Sequence, residues 1–254
     1  MASLYFKEEG KGPNLIFIHG FCETHEIWKD FVKHFTSSFR VITLDLPGFG
    51  SSTIPDGPFS IDDVAKTLAN TLLSNNILDS IVIGHSLGGY VALSLAENHP
   101  ALVKGLCLFH SSSFADTPDK KENRNKVIEF VNSHGVQPFI DTFVPALFAD
   151  KSNSAIKDVY KIASETKQET LVKYTRAMRD RLDRNAFWTK NDIPKLLIAG
   201  EEDTSIPIQI SREMAKIGRN LKVLELKNVA HMGFFEASKE CEEEIKRFTY
   251  GILP

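Results

Sequence analysis

The chain has 254 residues, with 30 lysines and arginines, 33 aspartates and glutamates, and a formal net charge of -3. This length suffices for one large α/β domain whose core needs neither disulfides nor metal. Because the basic residues form no dense cluster, the composition argues against nucleic-acid and membrane-surface partners and favours a small-molecule substrate.

Short apolar runs recur along the chain and predict β-strands. They are residues 15–18, 41–44, 80–83, 105–109, 195–198 and 221–226. Most are separated by helical patterns, and this alternation indicates a mostly parallel sheet covered by helices on both faces. Ligands bind at the carboxyl ends of the strands in such sheets, so the loops after these runs are the candidates for a site.

Two segments in the first third of the chain have the residues of a turn and of a helix start. In residues 45–52, Asp45 precedes a turn rich in proline and glycine, and we expect it to stabilise the turn without chemical function. Ser60 and the acidic residues 62–63 predict a capped start for an amphipathic helix over residues 64–73.

The segment 81–96 has the pattern of a strand, a sharp turn and a helix. Three β-branched residues lead into the pentapeptide GHSLG at residues 84–88, and an apolar helical stretch follows. A G-x-S-x-G turn in this context exposes its serine at the end of the sheet. The following helix directs unpaired N–H groups and the positive end of its dipole to the same point. Ser86 is therefore the predicted nucleophile.

The alternation of strands and helices stops after residue 109. Residues 111–190 have helical patterns only, and they predict a helical cap inserted into a core made of residues 1–110 and 191–254. The expected breaks between its helices are Gly135, Pro138 and Pro145.

Two helix starts are predicted inside the insertion. Thr117 with Pro118 suits an N-cap and a first helical position, and Thr166 with Glu169 suits a capping box. The insertion also contains aromatic residues that could form one face of a pocket, although each could equally pack the helices together. They are Phe130, Phe139, Phe143, Phe148, Phe187 and Trp188. Together they suggest a lid.

Two later loops supply a candidate acid and a candidate base. Asp203 follows the run 195–198 and His231 follows the run 221–226, so both are expected at the sheet edge that carries Ser86. Histidine suits the base because its ordinary pKa of about 6.5 lets it exchange a proton near neutrality. The aspartate would fix the tautomer of the imidazole. Glu201 and Glu202 are alternatives to Asp203.

Attack by a serine hydroxyl on a carbonyl creates an oxyanion, which two backbone N–H groups usually hold. One is expected at the start of the helix after Ser86, and the other in the loop after the first apolar run. We expect the backbone N–H groups of Phe21 and Leu87 to hold the oxyanion, with Cys22 as an alternative to Phe21. His19 is expected to shape this loop, and His85 is expected to point away from the reacting centre. No metal and no cofactor are expected, because nucleophilic catalysis by a serine needs only a histidine and an aspartate beside it.

These motifs together resemble those of the α/β-hydrolase superfamily. They are residues 19–21, the turn 45–51, GHSLGG at 84–89, residues 200–203 with Pro207, and His231. The resemblance covers about residues 1–110 and 191–254, and it implies the α/β-hydrolase fold with an inserted all-helical cap. It also implies the triad Ser86, Asp203 and His231 in the chain order of that family. Serine at the turn separates the chain from haloalkane dehalogenases and soluble epoxide hydrolases, which carry aspartate there.

The expected activity is hydrolysis of a small or medium carboxylic ester through an acyl-enzyme. One alternative uses the same triad in a lyase, a lactonase or a C–C bond hydrolase that acts on a small carboxylate. Its pocket would need cations, and the insertion offers Arg124, Arg176, Arg179, Arg181 and Arg184, although helix arginines are more often solvated. Another alternative is a ligand sensor with slow turnover.

The cysteines and the terminal segment indicate the compartment. Cys22, Cys107 and Cys241 are odd in number, far apart and without CxxC spacing, which argues against a disulfide framework or a zinc site. No stretch has the length of a signal-peptide core or of a membrane span, which needs roughly 20 apolar residues. We therefore expect a cytoplasmic protein that is a monomer or a homodimer.

Overall fold

The computed structural model describes residues 4–252, and its centre is a seven-stranded sheet. The strands are β1 (Phe6–Glu9), β2 (Asn14–Ile18), β3 (Arg40–Leu44), β4 (Ser80–His85), β5 (Val103–Phe109), β6 (Lys195–Gly200) and β7 (Leu221–Leu226). Their order across the sheet is β1-β3-β2-β4-β5-β6-β7, and every neighbouring pair is parallel except β1 with β3. The carboxyl ends of the parallel strands therefore meet at one edge.

Six of these strands correspond to the six apolar runs of the sequence, so the predicted α/β fold with a mostly parallel sheet is confirmed. The sequence pattern does not predict β1, because three of its four residues are exposed and it contains no apolar run. An edge strand of this kind is defined by its pairing with β3 more than by burial.

Helices cover the sheet and follow its strands. They are α1 (Ile61–Ser74), α2 (Leu87–Asn98), α3 (Pro118–His134), α4 (Gln137–Ala146), α5 (Ile156–Ser164), α6 (Gln168–Arg179), α7 (Asn185–Lys190), α8 (Ile208–Ile217), α9 (Gly233–Glu236) and α10 (Ser238–Tyr250). Short 3-10 helices cover His25–Trp28, Phe31–His34 and Pro100–Leu102. Within residues 4–252, no helix combines the length and the apolar character that crossing a bilayer requires.

The helix start predicted at Ser60 is confirmed. The Ser60 side chain accepts from the backbone N–H of Asp63, and the Asp63 carboxylate accepts from the backbone N–H of Ser60. This reciprocal pair satisfies two N–H groups that the first turn of α1 would otherwise leave unpaired.

The chain between β5 and β6 contains α3 to α7 in succession and, among residues 4–252, no strand. Thr117 caps α3 as predicted, because its side chain accepts a backbone N–H one turn later. The capping box predicted for Thr166 and Glu169 is wrong. The N–H of Thr166 still bonds to Ala163 at the end of α5, and α6 starts only at Gln168 without a side-chain cap.

An aromatic cluster supports the sheet edge where the loops meet. The ring centres of Trp28 and Phe234 are 4.5 Å apart, and Phe31 and Phe109 pack beside them. The ring of His85 lies edge-on to Phe234, with 5.1 Å between centres. The end of β4 therefore rests on a rigid apolar layer.

Glycine at position 88 permits the close approach of α2 to β2. A Cβ atom there would lie 2.7 Å from the carbonyl oxygen of His19 and still closer to that of Ile18. Both oxygens belong to the backbone, so β2 and α2 would have to separate before a side chain could fit.

Gly88→Ala is therefore expected to lower the free energy of unfolding by about 1–3 kcal/mol, the usual effect of overpacking. Gly251→Ala is the matched control, because a Cβ atom there would have its nearest neighbour at 3.4 Å. The control should stay within about 0.5 kcal/mol of the unsubstituted protein. Urea unfolding followed by circular dichroism measures both variants, and equal stabilities would contradict the expectation.

Candidate active site

Ser86 lies between β4 and α2 in a left-handed backbone conformation. Its φ is 50° and its ψ is -112°, which residues other than glycine rarely adopt. The N–H of Ser86 donates to the carbonyl of Phe109 at 2.9 Å, and the Ser111 hydroxyl donates to the carbonyl of Ser86 at 2.8 Å. These bonds hold the turn, and the Ser86 residue remains partly exposed at the sheet edge.

Asp203 and His231 lie in direct contact in the loops after β6 and β7. Nδ1 of His231 is 2.7 Å from Oδ2 of Asp203, and both residues are buried. Oδ1 of Asp203 accepts the backbone N–H groups of Ser205 and Ile206 at 2.8 and 2.9 Å. The backbone N–H of His231 donates to the carbonyl of Leu147 at 2.9 Å. The orientation of both side chains is therefore fixed.

Asp203 is held as a carboxylate. Burial alone would raise the pKa of Asp203, but the charge of His231 and hydrogen bonds from His110 and His231 outweigh burial and lower the pKa below its usual range. An ionised Asp203 keeps a proton on Nδ1 of His231 and leaves Nε2 able to accept one. Glu202 is exposed and Glu201 lies 3.7 Å from an arginine of α8, whereas Asp203 is the one of the three that is bonded to His231 among residues 4–252.

His110 is a site residue that the sequence patterns did not single out. Its Nδ1 lies 3.1 Å from Oδ2 of Asp203, and its Nε2 accepts the backbone N–H of Gly233 at 3.2 Å. These partners assign a neutral ring with the proton on Nδ1, and burial lowers the pKa of His110 to about 4. Its position directly after the run 105–109, at the same edge as Ser86, is the signal that could have identified it.

Glu23 and His85 form a buried ion pair beside Ser86. Nδ1 of His85 is 3.1 Å from Oε2 of Glu23, and Nε2 of His85 is 2.9 Å from the carbonyl oxygen of His231. Both ring nitrogens therefore donate. Burial opposes the charge of His85, but the Glu23 carboxylate outweighs burial and raises the pKa of His85. The pair also fixes the loop after β2, since Glu23 accepts the N–H of Gly20 at 2.6 Å.

His19 and Asp45 have the structural roles that their positions suggest. Nδ1 of His19 donates to the carbonyl of Gly20 at 2.8 Å, and Nε2 accepts the N–H of Leu46 at 3.0 Å. This neutral ring joins the loops after β2 and β3, and burial lowers the pKa of His19. Asp45 accepts the N–H of Ser51 at 2.9 Å across its turn.

Ser86 and His231 line one cavity of about 60 Å³. Its other lining residues are Phe21, Glu23, Tyr90, Arg124, Phe143, Leu147, Met178, Ser205 and Ile206. Within residues 4–252, the N–H groups of Phe21, Cys22 and Leu87 have no hydrogen-bond partner, so they are available to a ligand oxygen. Cys22 is absent from the cavity wall whereas Phe21 belongs to it, which favours Phe21 over Cys22 as a donor.

The arginines of the insertion have different surroundings. Arg124 lines the cavity. Arg181 and Arg184 are buried and paired with acidic side chains. Arg176 is exposed, and Arg179 pairs with its sequence neighbour. The five arginines therefore do not form a shared cationic pocket.

Phe143 is the one of the six predicted aromatic residues that lines this cavity. Its ring centre is 5.0 Å from that of Phe139 and 5.9 Å from that of Phe21. Phe148 and Trp188 are fully buried elsewhere. The aromatic contribution of the insertion to the cavity wall therefore comes from α4.

His110, Asp203 and His231 bring ligand atoms within 4.8 Å of one another, a spacing that could hold a metal ion. The atoms that would bind the ion are already hydrogen-bonded to one another, because Nδ1 of His110 and Nδ1 of His231 both donate to Oδ2 of Asp203. Hydrogen bonding accounts for this cluster without an ion.

Comparisons with known proteins identify the family and the fold of the chain. A sequence profile of the alpha/beta hydrolase fold matches residues 13–156. The chain is 28% identical over 222 residues to a pimeloyl-[acyl-carrier protein] methyl ester esterase of Vibrio campbellii, covering 84% of this chain and 85% of that protein. It is 23% identical over 251 residues to the (E)-2-((N-methylformamido)methylene)succinate hydrolase of Acinetobacter baylyi, covering 95% and 92%. A thermophilic esterase structure from Thermogutta terrifontis shares the fold, with a TM-score of 0.92, 24% identity and coverage of 99% and 94%.

The low pKa of His110 makes stability depend on pH. Between pH 6.5, its ordinary pKa, and pH 4, the unfolded chain binds a proton that the folded chain excludes. Acidification across this window should therefore destabilise the fold by up to about 3 kcal/mol through His110 alone. His110→Gln cannot titrate and should make the free energy of unfolding less steeply dependent on pH there.

Urea unfolding at a series of pH values in this window measures the slope. His110→Phe is the companion variant, because it also removes both hydrogen bonds. It should share the shallower slope but be less stable than His110→Gln at every pH. A slope equal to that of the unsubstituted protein in both variants would show that His110 does not have this depressed pKa.

Proposed function

The chain belongs to the alpha/beta hydrolase fold family, and from that premise we propose that it hydrolyses small or medium carboxylic esters through an acyl-enzyme on Ser86. One observation carries the proposal. Ser86 and His231 line the same cavity, and His231 is bonded through Nδ1 to Asp203 at 2.7 Å. A serine hydroxyl becomes an activated nucleophile when it comes within hydrogen-bond reach of a base that an ionised acid orients.

In the acylation step, Nε2 of His231 removes the proton of the Ser86 hydroxyl as its oxygen attacks the ester carbonyl carbon. The resulting imidazolium is stabilised by Asp203, whose low pKa keeps it ionised throughout the reaction. The tetrahedral intermediate collapses when the imidazolium returns the proton to the departing alcohol. The acyl group remains on Ser86.

The oxyanion of the intermediate is held by the N–H groups of Phe21 and Leu87. Leu87 is the first residue of α2, so its N–H lies at the positive end of the helix dipole. Phe21 belongs to the loop that Glu23 fixes through Gly20. Fixed donors of this kind stabilise developing charge without reorganising during the reaction. Water activated by His231 then releases the acid, and the whole cycle uses only groups of the chain and water.

The size of the cavity favours small substrates. A volume of about 60 Å³ corresponds to about two molecules of liquid water. Among esters, those with a short acyl group and a small alcohol, such as methyl esters, place the least volume in this cavity. The similarity to a methyl ester esterase of Vibrio campbellii supports the same alcohol group.

Residues 111–190 act in this proposal as a cap over a core of residues 1–110 and 191–254. Four residues of the insertion support this role, because they line the cavity beside Ser86. They are Arg124, Phe143, Leu147 and Met178. The core thus supplies the chemistry and the insertion supplies much of the substrate-facing wall.

A second candidate applies the same residues to a small carboxylate substrate that is not a simple ester. The similarity to the Acinetobacter baylyi enzyme, whose name specifies a substituted succinate, favours it. Both candidates require Ser86, and a panel of esters, lactones and unsaturated diacids separates them by relative kcat/KM.

We also infer a reducing compartment, such as the cytoplasm, for this reaction. Cys22, Cys107 and Cys241 are all free thiols. Burial raises the pKa of each, so they remain protonated and unreactive.

Ser86→Ala is expected to lower kcat/KM for p-nitrophenyl acetate and methyl butyrate by about a millionfold, the loss that removal of the nucleophile causes in subtilisin. Ser37→Ala, on the exposed surface, is the matched control and should retain full activity. A fluorophosphonate probe read by mass spectrometry should label Ser86 in the unsubstituted protein and in the control. Near-normal hydrolysis by Ser86→Ala, or labelling elsewhere, would refute the acyl-enzyme.

A further inference from the structure

Helix α3 places a cation in the wall of the cavity that contains Ser86 and His231. Arg124 lines this cavity, and its side chain is 21% exposed. Lys120, one helical turn earlier, donates to the carbonyl oxygen of Ser205 at 3.0 Å, and Ser205 lines the same cavity. This bond ties α3 to the cavity wall, so the position of Arg124 relative to the reacting groups is fixed.

The ion pair with Asp116 does not neutralise the whole positive charge around Arg124. Nε of Arg124 lies 3.1 Å from Oδ2 of Asp116, whose side chain is fully buried. The other carboxylate oxygen lies 2.6 Å from Nη1 of Arg181, in an ionic contact that lacks hydrogen-bond alignment. Arg181 is also buried and lies 4.1 Å above the ring of Tyr90. One carboxylate therefore faces two guanidinium groups, so the three side chains keep a net positive charge, and Arg124 is the one of the two arginines that lines the cavity.

Arg124 also keeps hydrogen-bond donors for that ligand. Its Nε donates to Asp116, whereas Nη1 and Nη2 make no hydrogen bond to any of the residues 4–252. A planar guanidinium with two free terminal nitrogens binds a carboxylate through two parallel hydrogen bonds. A lone alcohol or carbonyl oxygen would leave one of these donors unused.

The rest of the cavity wall suits a short acid with an ester at one end. Glu23, an anion in this wall, is already paired with His85 at 3.1 Å and does not compete for Arg124. Apolar side chains form other parts of the wall, and these are Leu147, Met178 and Ile206. The cavity thus combines a nucleophile, apolar walls and one available cation, which is a site for a molecule with matching groups.

We propose that Arg124 binds a free carboxylate of the substrate, so that the preferred substrates are monoesters of short dicarboxylic acids. This inference rests on the ester hydrolysis proposed above and adds the substrate class. Arg124 determines which esters bind well, because it contacts the carboxylate at the unreactive end of the substrate. The bonds that break and form at Ser86 are the same as in the proposed ester hydrolysis.

The test compares esters that differ only in the second carboxylate. Monomethyl succinate, monomethyl glutarate and monomethyl adipate are paired with methyl butyrate, methyl valerate and methyl hexanoate. The unsubstituted protein should hydrolyse at least one monomethyl ester of a dicarboxylic acid with a kcat/KM about ten- to hundredfold above that of its uncharged partner. Arg124→Gln should abolish this preference mainly by raising KM for the monomethyl ester of the dicarboxylic acid.

Two further variants control for charge and for folding. Arg176→Gln removes the same charge from an exposed position on α6 and should keep the full preference. Arg124→Lys keeps the charge without the planar pair of donors and should keep part of the preference. If the unsubstituted protein shows no preference, or if Arg124→Gln retains it, the inference is overturned and Arg124 serves only its ion pair with Asp116.

A binding measurement separates this inference from the proposed hydrolysis. Monomethyl glutarate should raise the Tm of Ser86→Ala, which cannot consume it, and methyl valerate should not. The double variant Ser86→Ala, Arg124→Gln should show no shift with either ester. If neither ester series is hydrolysed by the unsubstituted protein, ester hydrolysis is wrong. In that case the Tm shift of Ser86→Ala with monomethyl glutarate tests whether Arg124 binds a carboxylate, and the absence of a shift overturns the inference.

Discussion

The left-handed backbone at Ser86 is the constraint on which the site depends. A non-glycine residue with φ of 50° costs of order 1–3 kcal/mol, so the surrounding structure must hold it in place. Gly84 and Gly88 allow the backbones of β4, α2 and β2 to approach closely enough to do so. The same turn exposes the Ser86 side chain and places the N–H of Leu87 at the start of α2. One local conformation therefore brings a partly exposed hydroxyl and the first N–H group of a helix to the same point.

Four buried histidines at the same sheet edge differ in charge because their partners differ. His19 and His110 each accept a backbone N–H at one ring nitrogen, and burial then keeps them neutral. His85 faces acceptors at both nitrogens and is charged through Glu23. His231 donates only through Nδ1, to Asp203. A buried ring takes the protonation state that its hydrogen-bond partners satisfy, so the states of His19, His85 and His110 follow from contacts that the sequence does not show.

The sequence predicts most of the fold because parallel strands need continuous apolar runs, and six of the seven strands have one. The exposed β1 lacks such a run and was missed. Asp203 and His231 were predicted as partners because both follow strands at one edge, and they lie in contact. His110 also directly follows an apolar run at this edge, but no local motif marks it, and its bond to Asp203 joins residues 93 positions apart. Thr166 failed as a cap because capping requires a free helix start, whereas its N–H still belongs to the preceding turn.

The insertion is joined through its backbone to the loop after β7 and to α9, and it faces the cavity with its side chains. The carbonyl of Leu147 accepts the N–H of His231 at 2.9 Å, and Glu236 accepts the N–H groups of Ala149 and Ala230 at 2.6 and 3.0 Å. On the insertion these bonds use the main-chain groups of Leu147 and Ala149, so the side chains at these two positions can change without breaking them, whereas Glu236 contributes its side-chain carboxylate. In the proposed function, side chains such as Arg124 alter which substrates bind while the reaction stays the same. A fixed reaction with a variable cavity wall is the arrangement by which one fold serves many substrates.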